Sequence, residues 1–429
     1  MKTTHQATET PRPPAALARL ARLGCLFAAV SLVACGPTPD TPASDGSSDS
    51  GANRGADAAS GADGVDAISD DAAGHDVSAG PRLVHVTLGD HKTLADGRTA
   101  DIAFDLPVGV TAIVVRVEGD PALHYILASL ERDAGFSLIP KAWLDQAPVP
   151  DACVTPCANR MAAQPGAAAF LFPNTPLVDL RPGPHRLRVY AFDAKRQPAQ
   201  TTVQVSLDLV RPRAPPGGWR LPVNLCLTGA MGWNAGNALD QPRLVAALVT
   251  AQQLLAPAGI ALDPIRTVNV SAKGQYIASQ HGPDSDLMQL FLSGDGLPNG
   301  LNVFLTERVV AVGGLPGANV VLGLAGGIPG LPNSVGHARD GIALSLVVPP
   351  GQTDVLGHTM AHEIGHYLGL FHASEAKSAS GSGVHDTLPD TLPDDPTNLM
   401  FWSVGTQATK LSHEQIQVMR RSPWLVAVP

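Results

Sequence analysis

Aromatic side chains are scarce in this chain, at 4% of 429 residues, and residues 36–80 contain none. That stretch is almost entirely Ala, Gly, Ser, Asp, Thr and Pro. It cannot bury enough apolar surface to offset the entropy of ordering, so it reads as a flexible acidic stalk. Positive charge is also short: Lys and Arg number 29 against 38 Asp and Glu, for a formal net charge of −9. Nine of the aspartates lie in residues 36–80 beside the single Arg54, so most of the acidity belongs to the stalk. With no basic stripe, a nucleic-acid partner is not expected. Long apolar runs are missing too. Residues 23–33 are too few to cross a bilayer as a stable helix, and no later stretch is long and apolar enough.

That short run has a context. Lys2, Arg12, Arg19 and Arg22 precede it, and it closes on Leu32-Val33-Ala34-Cys35. A basic segment, a short apolar segment and small residues before a cysteine describe a bacterial export signal. The L-V-A-C ending resembles a lipobox, which implies cleavage before Cys35 and a lipid on its sulfur. Cleavage at an ordinary site nearby, or an uncleaved anchor, are the alternatives. The expected order is a signal peptide over 1–34, then a lipidated Cys35 at the head of a disordered stalk over 35–80. The membrane would be met through that lipid alone, at the outer membrane or cell surface, or the protein would be shed. Cys153 and Cys157, in a chain expected to leave the cytoplasm, read as a small-loop disulfide. Cys226, in an apolar strand-like run, reads as a buried thiol.

Residues 362–372 carry the chemistry: H-E-I-G-H-Y-L-G-L-F-H. His362 and His366 are four apart, so on a helix they stand one turn above each other and point the same way. Neutral imidazole is a preferred zinc ligand, and two at that spacing can share one ion. Glu363 is placed beside such a metal without binding it, where it can take a proton from water and return it to a leaving amine. Gly369 permits the backbone turn that ends the helix and brings His372 back as third ligand. The fourth position is left for water, as a catalytic zinc site requires. His358 also lies four before a ligand, and could replace His372; a satisfied or solvent-facing histidine is the other reading.

The pattern H-E-x-x-H-x-x-G-x-x-H resembles the metzincin clan of zinc endopeptidases. The resemblance implies a methionine turn beneath the metal, and Asn398-Leu399-Met400-Phe401-Trp402 offers Met400 for it. The N-L-M wording looks closest to the pappalysin-like branch. Two features depart from the family. The cysteines that staple this region in pappalysins are absent. Where several metzincins have a tyrosine two residues after the methionine, this chain has Trp402, which can donate a hydrogen bond but cannot act as a phenolate.

The fold class expected is multidomain: an N-terminal all-β sandwich over 81–212, a linker over 213–218, and an α+β metzincin-like domain over 219–429. Alternating or apolar runs at 111–117, 186–191 and 201–209 give the sandwich its strands. In the second region, 221–227, 260–262, 301–306, 320–325 and 342–348 read as strands. Asp240 is the candidate N-cap of a helix with Pro242 in its first turn, ending near Gly259. Thr353 or Asp354 would cap the zinc helix, and Ser412-His413-Glu414-Gln415 is a capping box for the last one. Leu356, Met360, Ile364 and Leu368 stripe the zinc helix for the core, while Ala361, Gly365 and Gly369 would let another segment approach. By order, Gly323, Leu324 and Ala325 correspond to the metzincin edge strand that pairs with extended substrate, with an interior strand as the alternative. Asp386, Asp390, Asp394 and Asp395 suit a calcium ion, or simply an exposed loop.

Together these imply a lipid-anchored endopeptidase with one catalytic Zn2+, acting on protein or peptide substrate. The competing reading is a non-catalytic surface lipoprotein, an adhesin or glycan binder with a vestigial zinc site. Oligomeric state has no signal in the sequence.

Overall fold

Strict alternation of apolar and polar residues makes Ile102–Leu106 a one-sided strand, with Ile102, Phe104 and Leu106 buried and Ala103 and Asp105 exposed. Ala112–Glu118 and Ala167–Phe172 are instead apolar nearly throughout, the mark of strands covered on both faces. This difference sets the architecture. The computed structural model describes residues 36–37, 82–132, 136–139, 159–211, 215, 217–279, 282, 284–311, 320–332, 340–348, 354–375 and 385–428. The expected signal peptide, Cys35, nearly all of the stalk, and Cys153 and Cys157 lie outside the described residues.

The N-terminal strands are β1 (Leu83–Lys92), β2 (Ile102–Leu106), β3 (Ala112–Glu118), β4 (His124–Arg132), β5 (Ala167–Phe172), β6 (Gly183–Phe192) and β7 (Thr202–Val210). They form two antiparallel sheets, ordered β1-β7-β3-β5 and β2-β6-β4, the second extended by short strands at Phe136–Ser137 and Gln164–Pro165. Ile113, Val115, Val117, Phe170, Phe172 and the Val203 to Leu209 stripe pack between the sheets. A β-sandwich results.

The C-terminal half holds a second architecture. Its sheet runs β9 (Ile260–Asn269), β8 (Trp219–Leu227), β10 (Leu301–Thr306), β12 (Ile342–Ser345) and β11 (Gly323–Ala325). Neighbours along this order are parallel except β11, which lies antiparallel to β12 at the edge, and the short strand Val426–Ala427 pairs antiparallel with the start of β8. Helices α1 (Pro242–Leu255) and α3 (Leu356–Tyr367) share one core with Leu221, Val223, Leu225, Leu301 and Val303. Helix α2 (Asp286–Leu292) packs Leu287, Leu290 and Phe291 with Cys226 and Phe304 in a separate core. Cys226 is fully buried, and that burial pushes its thiol pKa upward. Helix α4 (His413–Arg421) closes the chain behind a complete Ser412–Gln415 capping box.

The caps expected for α1 and α3 are displaced. Asp240 sits in a short 3-10 turn, and Gln241 is the N-cap of α1, with no side-chain cap; Pro242 at the first position has no N–H to satisfy. The N-cap of α3 is Val355, and Thr353 is outside the described residues. Asp354, one residue earlier, still accepts from the Leu356 N–H at 3.1 Å while its carboxylate is paired to Arg243. The ion pair holds Asp354 one step outside the cap position.

The two halves do not meet only through a linker. Ala112, Val114, Ala167, Ala169 and Leu171, on the outer face of the β1-β7-β3-β5 sheet, belong to the same core as Tyr367, Leu370 and Met400. Arg82 bolts the far side. Its guanidinium donates to the carbonyls of Leu425 (2.7 Å), Arg420 (2.8 Å) and Ser422 (2.9 Å) and lies 4.2 Å over the Trp219 ring. Arg82→Met should therefore lower stability by about 2–4 kcal/mol. The parent should unfold in one transition by Trp fluorescence in denaturant; two well-separated transitions would show that the halves are energetically independent.

Candidate metal centre

Helix α3 is buried on almost every side, with His362, Glu363 and His366 all at 0% exposure. Gly369 ends its last turn at φ +107°, and the chain folds back so that His372 faces the helix. The ring centroids of the three histidines are 4.6, 4.8 and 5.3 Å apart, and one nitrogen from each lies within 4.8 Å of the others. No other His, Cys, Asp and Glu cluster among the described residues gathers in this way.

The hydrogen bonds decide which nitrogen points inward. Nδ1 of His362 faces the Leu399 carbonyl at 2.6 Å, and Nδ1 of His366 faces the Leu370 carbonyl at 2.7 Å. Nδ1 of His372 faces a carboxylate oxygen of Glu375 at 2.7 Å. Each partner is an acceptor, so each Nδ1 carries a proton, and in the neutral ring Nε2 is the nitrogen with the lone pair. Burial, and then repulsion among the rings, holds His362 down at about 3 and His366 well below the usual imidazole range. His362 and His366 are thus held as neutral donors. The buried Nε2 of His366 has no hydrogen-bond partner among the described residues. Three imidazoles aimed at one point fit a zinc ion.

Each expected neighbour of the triad can be placed. Met400 is fully buried beneath it, and a Cβ on Gly365 would lie 2.5 Å from its sulfur. The small-residue line on α3 is therefore used: Gly365 admits Met400, and Gly369 admits Leu171, whose Cδ2 would be 2.6 Å from an added Cβ. His358 stands outside the cluster and bonds to the backbone at Thr406. Gly323, Leu324 and Ala325 form the edge strand β11, buried against α3. A Cβ on Gly323 would meet Thr359 at 2.6 Å and Glu363 at 2.7 Å. Ser345 N–H bonds to the Leu322 carbonyl and Gly326 N–H to the Gly341 carbonyl, so in the antiparallel alternation Gly323 and Ala325 turn their backbone groups away from β12.

The four aspartates expected for calcium are each engaged locally. The Asp386 carboxylate accepts from Thr391 and from the Leu388 N–H, that of Asp390 from the Glu414 N–H, and that of Asp395 from the Thr397 N–H and hydroxyl. Asp394 engages through its backbone, donating to Ser374 Oγ. These aspartates serve separate turns, and among the described residues their carboxylates do not gather at metal-ligand spacing. Burial raises the Asp386 carboxyl to about 6.

Two functional neighbours went unseen in the sequence. Glu375 could have been suspected, three residues past the last ligand. Arg160 carried no signal: it comes from the N-terminal half, donating to the His372 carbonyl at 3.0 Å and to Glu375 at 2.8 Å. Burial alone would raise the Glu375 carboxyl, but the charges and hydrogen bonds of His372 and Arg160 outweigh it and hold it at about 2.

No protein-family model matches the chain. Locally it is 37% identical over 86 residues to an extracellular metalloprotease of Colletotrichum graminicola, covering 15% of this chain and 31% of that one. It is 37% identical over 60 residues to an extracellular metalloprotease of Podospora anserina, covering 13% of this chain and 20% of that one. The chain thus spans between a fifth and a third of the length of these relatives. Among solved structures, metalloproteinase-II from Bacteroides fragilis aligns with 54% of this chain and 64% of its own, at 15% identity and a TM-score of 0.32, too low to define a shared fold. The local sequence similarity is to the metalloprotease kind.

The turn at Gly369 is doubly constrained, by its φ and by Leu171. Gly369→Ala should cost on the order of 1–3 kcal/mol and loosen the third ligand. Adding Leu171→Ala should relieve the steric part alone. Denaturant midpoints of the single and double variants check this; a Gly369→Ala protein as stable as the parent would refute it.

Proposed function

We propose that this chain is a metzincin-type zinc endopeptidase, hydrolysing peptide bonds of extracellular or envelope proteins. In this reading it is held at a bacterial cell surface by a lipid on Cys35. The observation that carries the proposal is the convergence of three proton-bearing Nδ1 bonds, which leave three inward lone pairs, beside a buried Glu363 and an edge strand. The local similarity to extracellular metalloproteases agrees with it. The pappalysin-like wording around Met400 supports that branch within the clan.

His362, His366 and His372 would hold the ion through Nε2. Bound there, zinc supplies Lewis acidity to a water and to the scissile carbonyl. Every other part of the chemistry belongs to the protein. Glu363 follows the first ligand on the same helix, so its carboxylate sits at the edge of the site. It accepts the proton of the attacking water and delivers it to the leaving amine. Gly323 and Ala325 offer outward backbone groups to an extended substrate, which would add a strand to the sheet and lie across Glu363. Met400 supports the ligand cluster from below, and its turn supplies the carbonyl that orients His362.

The test is the purified protein beside its Glu363→Gln variant, measured for zinc content and for cleavage of an unfolded protein. Both should bind one zinc per chain, and the variant should lose about 100- to 10,000-fold in cleavage rate. Zinc in both with cleavage by neither, across a broad panel of proteins, would replace this reading with that of a binding lipoprotein.

A further inference from the structure

We infer that the N-terminal β-region is a working part of the metal centre: Arg160, anchored in that region, is a positioning residue that holds the third ligand through Glu375. The inference rests on the reading of the triad as a zinc site.

The three ligands are not equally supported. His362 and His366 ride on α3, whose hydrogen-bonded backbone fixes them. His372 lies beyond the helix, past the turn at Gly369, and needs support from outside. One side chain supports it twice, once directly and once through Glu375. Arg160 Nη1 donates to its carbonyl at 3.0 Å, and Arg160 Nη2 donates to Glu375 Oε1 at 2.8 Å. The other oxygen, Glu375 Oε2, takes the His372 Nδ1 proton at 2.7 Å. Both carboxylate oxygens are thereby committed, and the plane of the carboxylate is set by the guanidinium.

Arg160 is itself held firmly. Its side chain is 3% exposed, and its guanidinium lies 4.6 Å over the Phe371 ring. Its N–H donates to Asn174 Oδ1 at 2.9 Å, and its carbonyl accepts from Asn174 Nδ2 at 2.7 Å. Asn174 lies two residues past the end of β5, and its N–H donates in turn to Asn159 Oδ1 at 2.9 Å. The chain of contacts therefore runs from the sandwich to Arg160, to Glu375, to the ring of His372. A buried guanidinium is costly unless paired, so its place here is accounted for by the carboxylate it orients. Partners of this kind, bonded to the far nitrogen of a metal-binding histidine, fix its tautomer and ring angle.

The experiment uses the full chain, stripped of metal and titrated with zinc against a chromophoric chelator, with thermal melting of the metal-free protein alongside. Arg160→Met should weaken zinc binding by about 10- to 100-fold. Arg160→Lys should recover part of the loss, since it restores a charge but not the two-pronged geometry. Glu375→Gln should lose a similar factor, and the double variant should be no weaker than the weaker single, because the two act in series. Arg82→Met, which weakens the same inter-half contact far from the triad, should melt lower yet keep the parent's zinc affinity. If Arg160→Met melts lower but binds zinc like the parent, Arg160 is packing and the inference falls. Should that variant fail to fold, parental affinity in both Arg160→Lys and Glu375→Gln has the same consequence. A parent chain that binds no zinc overturns both this and the zinc reading. Zinc binding without peptide cleavage overturns the peptidase proposal and not this one.

Discussion

Three imidazoles with ring centroids 4.6 to 5.3 Å apart must present one nitrogen each to a single point, and the C-terminal half is organised around that requirement. Burial keeps His362 and His366 neutral. Direction needs an acceptor behind each ring, and the chain provides three from three different places. The Met400 turn gives the Leu399 carbonyl, the segment after Gly369 gives the Leu370 carbonyl, and Glu375 gives a carboxylate. Remove the turn at Gly369 and two of these are lost together, since both Leu370 and His372 are placed by it. The glycine is therefore a constraint on electrostatics as much as on the backbone.

A site of this kind cannot be built on one exposed helix. Helix α3 is buried all round, which requires matter on every side: β12 and β11 on one flank, α1 on another, the Met400 turn below and the N-terminal sheet behind. The last of these explains why β3 and β5 are apolar on both faces. Their inner residues fill the sandwich, and Ala112, Val114, Ala167, Ala169 and Leu171 complete the core under the metal helix. Small alanines on that outer face let the sheet come close, and Leu171 reaches the one turn that has no Cβ to obstruct it.

Much of this was legible in the sequence, and the rest was illegible for identifiable reasons. The gathering of His362, His366 and His372, with Glu363 and Met400 beside them, could be read because the motif fixes residue type and spacing over short distances. Strands such as Leu301–Thr306 and the Ser412–Gln415 capping box could be read because period and cap signals are local. The continuous apolar runs at 112–118 and 167–172 already hinted at two covered faces, though not at what covered the second. Arg160 could not be read, because its partners are more than 200 residues away and no local pattern marks a buried arginine. Asp354 and Asp240 were misplaced by a residue or two, since an ion pair to Arg243 and a 3-10 turn displaced the caps that local propensity favoured. The separate local partners of the four aspartates in the acidic loop were not legible either, since composition does not say which N–H or hydroxyl each carboxylate will meet.

That loop shows how the chain does without the cysteines its resemblance would lead one to expect. Asn398 and Gln415 exchange reciprocal amide hydrogen bonds at 3.1 Å, both fully or nearly buried, and Asn398 Oδ1 also accepts the Met400 N–H at 2.8 Å. Gln415 is at once the third residue of the α4 capping box, with its side chain bonded to the Ser412 N–H. The start of the last helix and the turn beneath the metal are thus one hydrogen-bonded unit. A disulfide would fix two backbones at a point; this arrangement fixes a turn and a helix origin together, and it needs no oxidation to form. The position of Met400, and through Leu399 the orientation of His362, then depends on a helix that begins 13 residues later. The terminal segment belongs to the site as fully as α3 does.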